Sequence, residues 1–226
     1  MKVRVKFTKR GVVKYIGHLD LMRYFQKAFR RTDIEMFYSK GFSPHMIMSF
    51  AQPLGVGVES DGEYFDVEVA DKEDISLFPE KLNAQMAEGI SVLDAILLPE
   101  GFINAMSSVA AADYELNFYK TAPDLKLLLK KYDESPAVTF VKTTKSGEHT
   151  VNVKEFVFEL SLKDENTLFA KLDASSSGNL KPLNFIDALL KLDNLDIKDY
   201  PFHILRKETY MRDEKENLVP LNHVKA

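Results

Sequence analysis

The chain has 226 residues, 45% hydrophobic, 28% charged and 11% aromatic, with a mean hydropathy of −0.20; one large or two modest domains fit, and global disorder is excluded. It has no cysteine, which excludes disulfides, a thiolate nucleophile, Cys-ligated zinc and thiolate-held iron–sulfur clusters. No apolar run approaches the roughly 20 residues needed to cross a bilayer, and the start MKVRVKFTKR is charged where a leader peptide is apolar, so a cytoplasmic protein without membrane contact is expected.

Val3, Val5 and Phe7 alternate with Lys2, Arg4 and Lys6, the period of a strand with one buried face, and Lys9-Arg10-Gly11 reads as a turn. From Asp20, the expected N-cap, Leu21, Met22, Phe25, Ala28 and Phe29 form the apolar stripe of an amphipathic helix whose other face carries Arg23, Lys27, Arg30 and Arg31. A short strand at 35–39, a turn at Lys40 to Pro44 and an apolar run from Met46 to Phe50 follow. A strand at 63–69, a helix at 77–88 and a strand at 91–98 complete a β-α-β-β-α-β order. The order then recurs: strand 109–119, helix 123–132, strand 137–142, strands 154–162 and 167–173, helix 183–191, strand 202–211. Long loops are expected at Lys142 to Gly147 and at Ser175 to Asn179. The expected fold class is α+β, two tandem ferredoxin-like (βαββαβ) domains at 1–100 and 106–226, the first with a basic first helix and the second acidic.

The net charge of −4 is unevenly distributed. Of 30 basic and 34 acidic residues, 11 and 3 fall within residues 1–50, leaving 19 and 31 for the rest, so the two segments carry +8 and −12. Such asymmetry suggests a polyanionic partner, or else mutual neutralisation of the two segments within the fold. In a ferredoxin-like sheet Arg4 and Lys6 would face Asp66 and Glu68 across neighbouring strands, making the open sheet a poor RNA platform. The expected surface is therefore the first helix and the loops beside it. There Lys14, Tyr15, Gly17 and His18 precede Arg23, Lys27, Arg30 and Arg31, and Tyr38, Ser39, Lys40 and His45 lie on the following loop. Tyr15, Tyr24, Tyr38 and Phe42 are candidates to stack on bases, with several of these rings, Phe42 foremost, expected to serve the core instead. Gly17 would let a bound group approach the backbone, and His18 either sits by a phosphate at the helix N-terminus or packs and caps the helix.

Walker, zincin, nucleophile-elbow and dinucleotide motifs are absent, and Gly55-Val56-Gly57 reads as a turn or bulge. The five histidines have no ligand spacing, so no metal and no cofactor are expected. Glu59, Asp61 and Glu63 are expected in a loop, solvated or binding a cation.

The runs Tyr15-Ile16-Gly17-His18-Leu19-Asp20-Leu21-Met22-Arg23, Tyr38-Ser39-Lys40-Gly41-Phe42-Ser43-Pro44-His45 and Ser49-Phe50-Ala51-Gln52-Pro53-Leu54 with Gly57 resemble a radical-SAM-associated (radical-SAM-linked) family of bacterial proteins. The resemblance covers residues 1–70. It implies an accessory to radical-SAM chemistry rather than a radical-SAM enzyme, since the chain has none of the thiolates that hold a cluster. Taken with the charge pattern, the expected function is a non-catalytic RNA-binding accessory protein of RNA modification or ribosome metabolism, with tRNA or rRNA as ligand and a radical-SAM protein as possible partner. Tandem ferredoxin-like domains also resemble CRISPR repeat-processing enzymes. That likeness implies a metal-independent endoribonuclease using His18 as acid or base, with Lys14 or Arg23 stabilising the phosphorane. The loop from Ser175 to Pro182 departs from that family's glycine-rich loop, with one basic residue, Lys181. A third possibility is a protein-interaction module whose basic patch docks an acidic partner.

Overall fold

A computed structural model of the chain describes residues 1–119, 121–144 and 147–224. It is a mixed α+β chain dominated by sheet, with few helices among the described residues. It forms two compact units, Met1–Ala110 with Arg206–Ala226, and Ala111–Leu205.

In the first unit, β1 (Lys2–Lys9) leads through a 3-10 turn (Gly11–Tyr15) into α1 (His18–Phe29), followed by β2 (Met48–Phe50), β3 (Glu59–Glu68), α2 (Phe78–Asn83), β4 (Ile90–Leu97) and the single-turn α3 (Ala105–Ser108). The strand order is β4-β1-β3, with β2 pairing β3. β1 runs antiparallel to both neighbours, setting Arg4 opposite Asp66 and Lys6 opposite Tyr64. Alternation does what period 2 requires: Val3, Val5 and Phe7 face the helices and are fully buried. Leu21, Phe25, Ala28 and Phe29 fill the facing side of α1. Phe7, Phe25, Phe50 and Phe65 close this core, with centroids 4.8 Å apart for Phe7–Phe25 and Phe25–Phe65 and 5.2 Å for Phe50–Phe65. Such tilted and edge-on pairs add about 0.5–1.5 kcal/mol each beyond area burial.

The other face of this sheet is also covered. The Arg4 guanidinium donates to the carbonyls of Leu221 and Ile103, both at 3.1 Å, and stands 5.5 Å from the Phe102 ring centre. The Tyr64 hydroxyl donates to Glu208 at 2.7 Å, and Asn222 donates to Asp94 at 2.7 Å. Burial, reinforced by Glu208, pushes the Tyr64 phenol far up, so it stays protonated.

The second unit holds β5 (Ala111–Phe118), α4 (Leu125–Glu134), β6 (Thr139–Thr144), β7 (Gly147–Asn152), β8 (Val157–Asp164), β9 (Thr167–Asp173) and α5 (Pro182–Lys191). Then comes β10 (Phe202–Arg212), whose Phe202–Leu205 fall in this unit and whose Arg206–Arg212 fall in the first. β11 (Leu218–Pro220) pairs the end of β10. The order here is β10-β5-β9-β8, with β6 and β7 forming a separate hairpin. Of the loop expected at Lys142 to Gly147, Lys145 and Ser146 lie outside the described residues, and the residues on either side belong to β6 and β7. Asp124 caps α4 through Leu127 N–H at 3.0 Å, and Pro182 occupies the first turn of α5, where a missing N–H costs nothing.

Among the elements of the first unit, three expectations need correction. α1 starts at His18 with Gly17 in the N-cap position, so Asp20 lies within the first turn rather than capping it. The strand at 35–39 is reduced to two isolated bridges, Met36 to Val69 and Tyr38 to Met46. Glu59, Asp61 and Glu63 belong to β3, not to a loop.

Candidate functional site

Most strand-borne cations of the basic segment are occupied inside the fold. Arg4, fully buried, grips Asp66 with two hydrogen bonds of 2.8 and 3.0 Å, and Asp66 also accepts from Ala105 N–H at 2.6 Å. Lys6 reaches Glu208 at 2.5 Å, not Glu68. Arg10 binds Asp61 through two bonds of 2.6 Å, and Lys207 reaches the same carboxylate at 2.8 Å, holding its pKa down against the effect of burial. Lys14 pairs with Glu59 at 3.3 Å, and Arg206 with Glu63 at 2.9 Å. The three acids expected to be solvated or to bind a cation thus each hold an Arg or Lys already. Among the described residues no group of three or more His, Asp or Glu side chains could hold a metal ion.

The α1 face differs. Arg23, Lys27, Arg30 and Arg31 are all exposed. Arg23 pairs with Asp20 at 3.1 Å, an exposed i,i+3 contact of small energetic weight, and Arg31 donates to the Gln85 carbonyl at 3.2 Å. Among the described residues Lys27 and Arg30 have no ion-pair partner. Part of their placement serves the helix, since cations in its last turn favour the negative end of the macrodipole. Tyr24, a candidate for stacking, is instead half-buried; its hydroxyl accepts from Ala87 N–H and its ring meets Phe25 edge-on at 6.1 Å.

Ahead of α1, the segment carrying Lys14, Tyr15 and Gly17 is anchored by a residue that reads in the sequence as part of a turn. Lys9 ends β1, is buried, and donates its ammonium to the carbonyls of Ile16 at 2.7 Å and Lys14 at 3.3 Å. Gly57 N–H donates to the Lys14 carbonyl at 3.0 Å, tying the Gly55 to Gly57 turn to the same point. Burial pushes the Lys9 pKa down while Glu63 opposes the shift. The anchored segment leaves Tyr15 66% exposed, with the Lys14 ammonium 5.6 Å from its ring centre. Gly17 has ordinary extended backbone, and a Cβ there would meet nothing within 4 Å. The fold itself does not require glycine at 17.

His18 stacks edge-on against Phe50 with centroids 5.2 Å apart. Burial lowers its pKa, Glu63 pulls it back up, and Lys9 adds to the lowering, so the imidazole is neutral at pH 7. A neutral ring presents no charge to a phosphate.

The segment from Met36 to Met46 forms a protruding hairpin. Ile47 N–H donates to the Phe37 carbonyl at 3.1 Å and Ser39 N–H to the His45 carbonyl at 2.8 Å. The Ser39 hydroxyl bonds both His45 Nδ1 at 2.8 Å and His45 N–H at 3.1 Å, closing the tip. Tyr38, Lys40 and His45 are exposed. Phe42, expected in the core, is fully exposed at 112% of its reference area and follows Gly41, whose φ of +117° favours glycine. Among the described residues no hydrogen bond or ion pair joins this hairpin to the α1 cations.

In the second unit the loop from Ser175 to Pro182 is closed on itself. Ser175 N–H donates to Asp173 at 2.8 Å and Gly178 N–H to the Ser175 hydroxyl at 3.1 Å, so these amides are not presented to a ligand. A Cβ at Gly178 would lie 2.3 Å from the Asp173 carboxylate carbon, which explains glycine there without reference to RNA.

A family model described as "Uncharacterized protein conserved in bacteria (DUF2344)" matches residues 2–182. No curated protein matches the sequence. Among solved structures, a chain of "Crystal Structure of a Cbf5-Nop10-Gar1 Complex" is similar with a TM-score of 0.49 and 9% identity; the match covers 94% of this chain and 50% of that one, so this chain spans about half its length. No helix among the described residues is long and apolar enough to cross a membrane.

Proposed function

The chain belongs to this bacterial family, and for it we propose the role of an RNA-binding protein that does no chemistry itself and binds through the exposed face of α1 and the segments around it. The observation that carries the reading is the contrast between cations: Arg4, Lys6, Arg10 and Lys14 are paired with acids, whereas Lys27 and Arg30 stand in water with no ion-pair partner among the described residues. Cations left free to meet phosphates release counterions on binding. Tyr15 and Tyr38 supply exposed rings for bases. Structured tRNA or rRNA is the ligand class, which places the protein in the cytoplasm, and the cysteine-free sequence leaves any radical-SAM step to a partner protein. In architecture, the β4-β1-β3-β2 and β10-β5-β9-β8 orders, each with helical crossovers, support reading the halves as ferredoxin-like units.

Affinity for a structured RNA, measured between about 50 and 200 mM salt, should fall steeply. Lys27→Gln with Arg30→Gln should flatten the slope by about 1 for each phosphate no longer neutralised. A slope unchanged in the double variant, or a complex that survives nuclease treatment with only protein in it, refutes the reading; the second outcome favours the protein-interaction module.

The endoribonuclease reading has one observation in its favour. His18 is part-exposed, held neutral, and has no hydrogen-bond partner among the described residues, the state a general base requires. Against it, Lys14 and Arg23, the groups that would stabilise a phosphorane, are each engaged by a carboxylate. Cleavage of cellular RNA in EDTA to 2′,3′-cyclic ends, lost in His18→Ala, is the result that would favour it over the leading reading.

A further inference from the structure

The hairpin from Met36 to Met46 concentrates three exposed aromatic rings, Phe37, Tyr38 and Phe42, within six residues. Isolated exposed apolar side chains are ordinary on a protein surface. Here the arrangement is built: the Ser39 hydroxyl closes the tip onto His45 at 2.8 and 3.1 Å, and the Phe37, Tyr38 and Ser39 backbone pairs across the hairpin with 45–47. Within this closed tip the Phe42 ring stands fully in water. The segment 36–46 carries Lys40 and His45 and no acid, so its charge complements an anion.

We propose that Phe42, with Tyr38 on the same hairpin, is a stacking platform for unpaired bases of single-stranded RNA, and that Lys40 meets the backbone phosphate of the stacked nucleotide. The proposal rests on the RNA-binding reading and sharpens it from RNA in general to unpaired segments, such as loops and ends. A duplex keeps its base faces covered and its deep groove narrow, so a ring projecting from a loop finds no face to stack on there. An unpaired base offers a π-face whatever its identity, which is what a single aromatic tip can recognise. With Lys40 and His45 as the ionisable groups of the hairpin besides Tyr38, the segment suits a ligand that pairs a base with a phosphate better than an apolar patch on another protein.

The chain has no tryptophan, so Phe42→Trp introduces a single indole reporter at the tip. Its emission should be quenched by a single-stranded RNA of about 12 nucleotides, within the range of site sizes such grooves track, and not by a duplex of the same length. Phe42→Ala should weaken single-strand binding about 5- to 150-fold, the loss expected for one stacked base, and leave duplex binding unchanged. Phe42→Trp should keep wild-type affinity, while Phe42→Leu, apolar but without a π-face, should bind as poorly as Phe42→Ala. Because the ring is exposed, thermal stability should be the same in all three variants. Wild-type affinity in Phe42→Leu, or an unquenched indole in a protein that still binds the single strand, overturns the proposal. The Lys27→Gln with Arg30→Gln variant separates the two levels: if it loses affinity while Phe42→Ala does not, RNA binding stands and stacking falls. If the wild-type protein binds neither RNA at low salt, both fall together.

Discussion

Removing the Asp66 carboxylate should strongly destabilise the first unit's sheet without changing its fold. Asp66→Ala deletes the acceptor for two Arg4 hydrogen bonds and for the Ala105 amide, and leaves a guanidinium at 0% exposure without a counter-charge. Breaking a buried pair on one side costs about 3–5 kcal/mol, chiefly the cost of the charge left behind. With a urea m-value of about 2.5 kcal/mol/M, a loss of about 4 kcal/mol lowers the unfolding midpoint by about 1.6 M. Replacing both partners, Arg4→Met with Asp66→Leu, removes the orphaned charge but leaves the carbonyls of Leu221 and Ile103 without their donor. The double variant should therefore fall between wild type and Asp66→Ala, at least about 1 kcal/mol more stable than the latter. The assay is urea unfolding read by hydrogen exchange of β1 and β3 amides, which follows this unit alone. An Asp66→Ala variant within about 0.5 kcal/mol of wild type, or strictly additive single substitutions, would refute the claim that this face is a closed polar core.

Lys9→Met should release the Lys14 and Ile16 carbonyls, raising amide exchange at Gly57 and in the 14–17 segment well before β1 itself exchanges; equal protection in the variant would mean that the ammonium does not hold the segment. His18 titrates below its ordinary value of 6.5, so the unfolded chain binds the proton first as pH falls. Its stabilising contribution is present above pH 6.5 and is lost as pH drops through the folded-state pKa. An imidazole C–H shift titrating below 6.5, and a melting temperature whose fall in that window is smaller in His18→Gln, are the expected results; a midpoint at or above 6.5 would show the assigned environment to be wrong.

The alternation of Val3, Val5 and Phe7 and the helical spacing of Leu21, Phe25 and Phe29 are direct imprints of burial on one face, and each of those side chains is in the core. β3 begins earlier than its apolar alternation although Glu59-Ser60-Asp61-Gly62 has little strand propensity of its own. It is held extended by partners far along the chain: Arg10 on Asp61, and Thr209 donating to the Gly62 carbonyl at 2.7 Å. Glycine is needed at 62 because the Glu208 backbone passes within 2.6 Å of where a Cβ would stand. Nothing within a window of neighbouring residues encodes a partner that far along the chain. Lys9 misled for a related reason: a lysine beside Arg10-Gly11 looks like turn chemistry, and only the fold brings two carbonyls to its ammonium. Phe42 misled in the opposite sense, since hydrophobicity argues for the core while the ring lies exposed within the hairpin that Ser39 closes onto His45.

The +8 of residues 1–50 is then two populations with different physical roles. Arg4 and Lys6 alternate with apolar residues on a strand, so period 2 turns them all toward one face, where Asp66 and Glu208 meet them. Their charge is a cost of closing that face, offset by pairing, and it is invisible to a partner at a distance because each sits within hydrogen-bond reach of its counter-ion. Arg10 and Lys14, though less buried, are likewise matched by Glu59 and Asp61. The α1 cations repeat at helical spacing on the face opposite Phe25, where, among the described residues, Asp20 is the acid that answers Arg23. Net charge therefore overstates the reach of the field in this segment, and the number of phosphates that residues 1–50 offer to neutralise is set by the α1 face and Lys40, not by the count of basic residues. A measured salt slope much steeper than those few cations allow would require either exposed lysines elsewhere on the chain, such as Lys126 and Lys181, or internal pairs that open on binding, and hydrogen exchange in β1 would reveal the second.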